Sequence, residues 1–533
     1  MRQALLALGL TTFSITSFAQ GTLSGDLQTN VNFFNRDTTI AASGTPQYDN
    51  QRTGSESWLS LRYSQEDFSA FLRIDGFYNS NLYNPKLSYN GIGIGAMTLT
   101  KTIGELTVTG GTIYDQIGSG ILYRAYEDRG LLIDNALTGL SVRFKPSDHF
   151  SIKGLMGNQK NTALFGTTLF PRYNPVIKAL NAEGDFTIAK KVNMAPGFGI
   201  LNRTLDESSM TSIAANINAL PLEQRFVPKY NMYAASVYNT LTTGSLSIYT
   251  EAAYKTEEAI ERDGTLQNLD GNVLYATASY AQKGFAVNGS VKRTQNFEMR
   301  TSPNEILLAG LMNWQPVIAR LRPQRLLARY SPASQNLSEL AWGLDGLIAP
   351  NDDVTVTLNY THINTLEGQS LYREVYGDIE WRNLGPVNIQ LGAQYLEYNR
   401  PVYQINPSAQ YMFAFTPFGE ITYRFNEKKS LRVEAEYMHT DYDLGPQVFL
   451  LAEYNVAPRW SIAVSDMYLL RPSNESPIKD NKHFYQFFGA YTRGPHRFTA
   501  AYVKQVEGIN CTGGVCRYEP AFSGMKFSMT SSF

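Results

Sequence analysis

Two cysteines, Cys511 and Cys516, are all this 533-residue chain carries, too few for a disulfide-stapled scaffold. Long greasy runs are missing too. Past the N-terminus no stretch approaches the roughly 18 uncharged apolar residues of a membrane helix, although 43% of the chain is hydrophobic. Charge is sparse at 17% and balanced, with 46 Lys and Arg against 47 Asp and Glu. That balance leaves no basic excess of the kind nucleic acid attracts, so no nucleic-acid partner is expected. Only five histidines exist, which leaves little material for His-based catalysis.

What the chain has is aromatics, 12% of it, with 33 Tyr and 28 Phe, and an alternation that recurs from about residue 22 to the end. In "SLRVEAEYMH", Leu431, Val433, Ala435 and Tyr437 oppose Arg432, Glu434 and Glu436. In "VTVTLNYTH", Val354, Val356, Leu358 and Tyr360 oppose Thr355, Thr357, Asn359 and Thr361. "VNIQLGAQY", "LSIYTEAAY" and the stretch Phe68 to Asp75 repeat the pattern. A period of two is a strand with one apolar and one polar face.

A soluble sandwich would alternate as well, and three features argue against it. Short connections (Gln65-Glu66, Lys283-Gly284, Gly494-Pro495) take turns with long ones, near 35–54, 113–135, 158–178 and 204–229, as in outer-membrane barrels. Tyr254, Tyr360, Tyr395, Tyr437 and Tyr502 close the apolar row on strands that run toward a long loop, the position of an interfacial belt. The opposite face holds Glu, Arg, Asn and Gln in strand centres, which a dry core would penalise by kilocalories each. The expected fold is therefore all-β, a transmembrane antiparallel β-barrel of about 26 strands, open by two or four. The count is least secure over 304–332, where Pro316 and Pro323 break the alternation; two strands with a longer turn or a short helix both fit. No plug domain is expected between Gln20 and the barrel, since alternation starts at "LSGDLQTNVNFF".

Residues 1–19 read as a signal peptide: Arg2, a short apolar run from Ala4 to Ile15, and Ser17-Phe18-Ala19 before Gln20. Residues 20–533 would be the barrel with its extracellular loops. In an exported chain "NCTGGVCR" favours a Cys511–Cys516 disulfide over a half-built metal pair. The last ten residues, "GMKFSMTSSF", place Met525, Phe527, Met529 and Phe533 on one face, a closing strand that pairs with the first. They also resemble the C-terminal signal of outer-membrane barrels, with Phe527 and Phe533 in its apolar positions and Ser531 where an aromatic is usual. That resemblance implies the outer-membrane lipid and the barrel-insertion machinery as partners.

The least barrel-like segment is "YDQIGSGILYRAYEDRGLLIDNALTG", residues 114–139, with Asp115, Arg124, Glu127, Asp128, Arg129 and Asp134 among Tyr and Leu. It either folds into the lumen as a constriction or gate, or stays an outer loop held by its own salt bridges. From about Gly95 to Gly139 the chain resembles an uncharacterised family of outer-membrane barrels from Bacteroidota, which implies a diderm outer membrane and assigns no activity. A second group of inward positions, Glu374, Asp378, Glu380, Glu420, Glu434 and Glu436, stands against Arg424 and Arg432. It reads as a cation-attracting wall if the lumen is open, or as an internal ion-pair network.

No enzyme, cofactor or metal is expected. "HTDYD", His439 to Asp443, is a rim cluster that more often means a surface ion pair than a general base, and "DGTLQNLDGN", 263–272, departs from a calcium loop. Two functions remain: a porin-like conduit for polar solutes, gated by 114–139, or an accessory barrel binding partners in an outer-membrane assembly or secretion complex. Apolar side chains in the loop 202–226 favour the second.

Overall fold

The first strand, Thr22–Phe34, lies antiparallel beside the last, Phe522–Ser532, with Asp26 opposite Ser532 and Phe34 opposite Gly524. The ladder runs on to the terminal residue, where Gly25 and Phe533 exchange backbone hydrogen bonds of 2.8 and 2.9 Å. In this computed structural model the sheet is thus closed, and no edge is left for lipid to meet unpaired. It describes residues 21–533 apart from 83–85, 132, 167, 189–190, 263, 306–307, 335–336 and 513–514. The proposed signal peptide lies outside the described residues.

Twenty-five strands are hydrogen-bonded into this one sheet, all antiparallel; Arg172–Gly184 and Phe186–Ile188 are two pieces of one stave, which gives a barrel of 24. Tight turns such as Glu66-Asp67 and Gly104-Glu105 join staves at the end where both chain ends lie, and the long connections gather at the other. Outside, Leu99, Leu140, Leu180, Leu274, Leu358, Ile421 and Leu450 stand exposed. Such a continuous apolar exterior belongs in lipid, not water. Rings border it at both ends. Tyr254, Tyr395 and Tyr437 face outward near the long loops, and Phe144, Phe150, Tyr423, Trp460 and Phe498 near the short turns. Phe527 is on this outer face, edge-on to Phe33 at 5.8 Å.

The strand count corrects the expectation of 26. The described residues of 304–332 form neither two strands nor a helix; those of 296–338 make a long irregular segment whose only ladder contact is an isolated bridge, Arg300 to Leu311. Pro316 and Pro323 lack the N–H a strand would need. Two segments within the chain enter the lumen, residues 114–136 and the described part of 296–338.

Two further expectations change. The loop 202–226 folds on itself: Asp206 caps helix α1, Glu207–Asn218, by accepting from the Ser208 N–H, and Met210, Ile213 and Ile217 are buried with Leu205 and Ala259 against Phe226 and Leu266. Leu222 and Val227, 78% and 84% exposed, remain bare beside it. Residues 265–272 lie in the strand Thr265–Gln282, which with Leu246–Arg262 forms a long hairpin. That strand carries a single carboxylate, Asp270, on extended backbone, so it forms no calcium loop. Among the described residues no group of His, Cys, Asp and Glu could hold a metal, and no helix is long and apolar enough to cross a membrane.

Candidate functional site: two inserts in the lumen

Both segments enter from the long-loop end. Insert 1, residues 114–136, folds as two small hairpins, Asp115–Ile117 with Tyr123–Ala125 and Glu127–Asp128 with Ile133–Asp134. Its apolar residues Ile117, Ile121, Leu122 and Tyr123 are buried with inward wall residues Leu155, Ile177 and Leu201. The wall makes room for them with glycine. A Cβ on Gly199 would lie 2.6 Å from Ile117 Cγ2 and 2.7 Å from Leu122 Cδ2. Insert 2, residues 296–338, carries Phe297, Met299, Met312, Leu326 and Tyr330 into buried positions. The inserts also bond to each other. The Arg124 N–H donates to the Met312 carbonyl and the Trp314 N–H to the Gly120 carbonyl, each at 3.0 Å. The Arg124 guanidinium is stacked over Tyr126 and Trp314, at 4.2 and 4.7 Å.

Charge sorts the two. Insert 1 carries four acids and two arginines, and the wall behind it is basic. Arg73, 2% exposed, meets Asp134 at 2.7 Å, Glu127 at 2.6 Å and its strand neighbour Asp75 at 2.7 Å. Lys160 meets Asp134 and Lys153 meets Asp115, both at 2.5 Å. Burial would raise the Asp134 carboxyl, but Lys160 and Arg73 prevail and hold it below the usual carboxylate range. Arg129 donates to Gln28 at 2.8 Å and pairs with Glu127 at 2.7 Å, and Asp128 accepts from the Leu131 N–H at 2.9 Å. Of the gate candidates, then, Asp115, Glu127, Arg129 and Asp134 fasten the insert to the wall, Arg124 joins the inserts, and Asp128 shapes a turn.

Insert 2 carries five arginines and two acids, and its wall is acidic. Arg322 lies between Glu374 at 2.9 Å and Asn359 at 2.7 Å, with its guanidinium over the Tyr376 ring at 3.7 Å. Arg320 pairs with Asp345 at 2.8 Å, and Arg329 with Asp443 at 3.1 Å. Glu436 accepts the backbone N–H groups of Arg325 and Leu326 at 2.9 and 2.8 Å. Lys292 on the wall donates to the Pro316 carbonyl at 2.6 Å. Burial opposes ionisation of Asp443, yet Arg329, with Tyr330 and Arg400, keeps its carboxyl below the ordinary value.

The six wall acids fall into separate sets. Glu374 (0% exposed) and Glu436 are buried behind insert 2. Glu420, Glu434 and Glu453 surround Arg432, at 2.8 Å for Glu420 and 3.3 Å for Glu453. Glu380 pairs with Arg382 at 2.6 Å, and Asp378 accepts from Gln390 at 3.1 Å. At the rim, Asp443 turns to Arg329 and Arg400 while His439 sits 3.5 Å from the Tyr437 hydroxyl, so the His–Asp cluster is not assembled. Backbone pairing of Gly508–Thr512 with Val515–Glu519 sets Cys511 opposite Cys516; their side chains lie outside the described residues.

Space remains around the inserts. One cavity of about 820 Å³ is bounded by Tyr126 and Asn135 of insert 1, Arg300 and Trp314 of insert 2, and Arg262 of the wall. Another, of about 710 Å³, is lined by Arg325, Arg329, Arg400 and Glu519. Toward the short turns the wall is open, with inward Arg62, Arg143, Arg424 and Arg497 exposed. Sequence reasoning passed over the residues that fasten the inserts, Arg73, Lys153 and Lys160 on the wall and Arg320, Arg322 and Arg329 on insert 2. The visible signal was five arginines and four prolines in a stretch where alternation fails.

The chain belongs to a family of unknown function, DUF6029, which it matches over residues 1–533. No curated protein matches it. Among solved structures it is similar to the P pilus usher PapC translocation pore, with 10% identity and a TM-score of 0.44 over 96% of this chain and 99% of that one. PapC in an E. coli P pilus tip assembly intermediate gives 11% and 0.49, over 97% of this chain and 62% of that one. The ferric-catecholate import receptor Fiu of E. coli K12 gives 10% and 0.41, over 97% and 82%.

Proposed function

With membership of that family as the premise, we propose that the chain is an outer-membrane conduit for polar solutes whose bore is set by the two lumenal inserts. One observation carries this reading. The inserts are fastened to the wall and to each other through one apolar cluster, yet a cavity of about 820 Å³ remains between Tyr126, Trp314 and Arg262, so they narrow the lumen without filling it. Insert 1 is a constriction fixed by ion pairs rather than a free loop, and its gating requires those pairs to break. No chemical step belongs to this reading. The outer membrane of a diderm such as a member of the Bacteroidota, export by the N-terminal segment, and insertion through the Phe527 and Phe533 face complete it.

Single-channel recording in a planar bilayer tests the conduit. Stable steps that grow when residues 116–132 are deleted support it; a folded but silent protein overturns it. Leu222 and Val227, bare at the long-loop end beside α1, favour a second reading, an accessory barrel that holds a partner in an outer-membrane complex. Cross-linking at position 227 in native membranes should then trap one defined protein, a result the conduit does not require.

A further inference from the structure

The acids of the wall are already engaged. Glu374 holds Arg322, Asp345 holds Arg320, and Glu436 is occupied by two backbone N–H groups. Arg325 is left over. Its backbone is tied to Glu436, but among the described residues no carboxylate lies within ion-pair distance of its guanidinium, and the nearest ring, Phe449, is 5.9 Å away. The side chain opens on the cavity of about 710 Å³, with Arg329 lining the same space. Its surroundings inside the barrel and the like charge of Arg329 push its pKa below the ordinary arginine value, against the opposing pull of Glu436 and Glu519.

The carboxylates around that cavity are each engaged by a donor. Asp443 is shared by Arg329 and Arg400, and Glu475 pairs with Arg400. Glu507 accepts from the Tyr518 hydroxyl, and Glu519 from Gln505 at 3.2 Å. Further toward the short turns, Arg143, Arg424 and Arg497 face inward, exposed, and form no ion pair among the described residues. Acids without a cation face the lumen as well: among the described residues Glu436, Glu251 and Asp378 have only neutral donors, and Arg432 is shared by three glutamates. Arg325 stands apart as an unpaired guanidinium that opens on a cavity. A guanidinium offers a planar fork matched to carboxylate and phosphate, and a lumen walled by protein focuses its field.

We infer that Arg325 is a binding site within the lumen for small oxyanions, solutes bearing carboxylate or phosphate. This rests on the conduit reading. The test is the reversal potential of the full-length protein in asymmetric potassium chloride, with inorganic phosphate then added as a probe. Phosphate should reduce the wild-type current. Arg325→Glu should lower the chloride-to-potassium permeability ratio several-fold and abolish the phosphate block. Arg325→Gln, which keeps a polar side chain and carries the test should the Glu variant fail to assemble, should lower the ratio less. Lys101→Gln, outside the barrel at the short-turn end, should change neither. Channels that conduct without a phosphate block, or whose ratio and phosphate block ignore both Arg325 variants, overturn this inference alone. A folded, silent protein overturns the conduit and this site together.

Discussion

Insert 1 and insert 2 solve one problem with opposite charges. Each must lie against a wall whose inward face is polar, and each does so by complementarity: an acidic insert on Arg73, Lys153 and Lys160, an arginine-rich insert on Asp345, Glu374 and Glu436. The geometry differs as well. Insert 1 folds locally into hairpins and presents carboxylates to wall cations. Insert 2 has almost no regular structure and uses its backbone as well as its side chains, giving N–H groups to Glu436 and the Pro316 carbonyl to Lys292. A buried irregular chain must satisfy its backbone somewhere, and here the wall's polar side chains do it. A lumen lined with mixed charge thus serves as a template that tells each insert where to lie.

Removing either insert separates their contributions most strongly. Replacing residues 299–336 by a short Gly-Ser linker should raise single-channel conductance several-fold, and replacing 116–132 should raise it less, because insert 2 occupies more of the lumen. Equal steps would mean that one shared constriction, at the Arg124–Trp314 crossing, sets the current.

The anchors come next. Arg73→Met leaves Asp75 buried without its ion-pair partner, while Glu127 keeps Arg129 and Asp134 keeps Lys160, at a cost of about 3–5 kcal/mol. Glu374→Gln should cost less, about 1–3 kcal/mol, because Arg322 keeps Asn359 and the Tyr376 ring. Unfolding midpoints, read as the loss of heat-modifiable electrophoretic mobility, would rank the two; the reverse order would make insert 2 the more tightly held.

Packing gives a smaller effect. Gly199→Val collides with both Ile117 and Leu122 and should destabilise by about 1–3 kcal/mol. Gly343→Val meets only Ile318 Cγ2, at 2.9 Å from a Cβ, and should fall at the low end of that range.

The smallest is the pH response. The Asp134 carboxyl is depressed in the folded protein, so its contribution is complete above the unfolded value of about 3.9 and is lost as pH falls through the lower, folded value. The unfolding midpoint of wild type should therefore stay level from neutral pH down to about 4 and drop below it. Asp134→Asn should begin lower and lose that part of the drop; parallel curves would mean that insert 1 is not held by charge.

The barrel itself was legible because lipid and water impose a period of two on every stave. Tyr254, Tyr395 and Tyr437 mark one interface in the sequence and in the structure alike. The closing strand was legible for the same reason, Met525 and Phe527 facing out while Lys526 and Ser528 face in. Residues 304–332 were not, because a segment that leaves the wall has no period to show and its prolines mark only where a strand fails. The wall acids were found as residues but not as pairs, since Arg322 and Glu374 are 52 positions apart.

By itself the sequence determined which face of each strand meets lipid, since that choice is made residue by residue against a uniform solvent. Only the tertiary structure decided that there are 24 staves, that two loops turn inward, and which charges they neutralise. Those outcomes depend on groups far apart in the chain, brought together when the barrel closes, and local alternation carries no record of them.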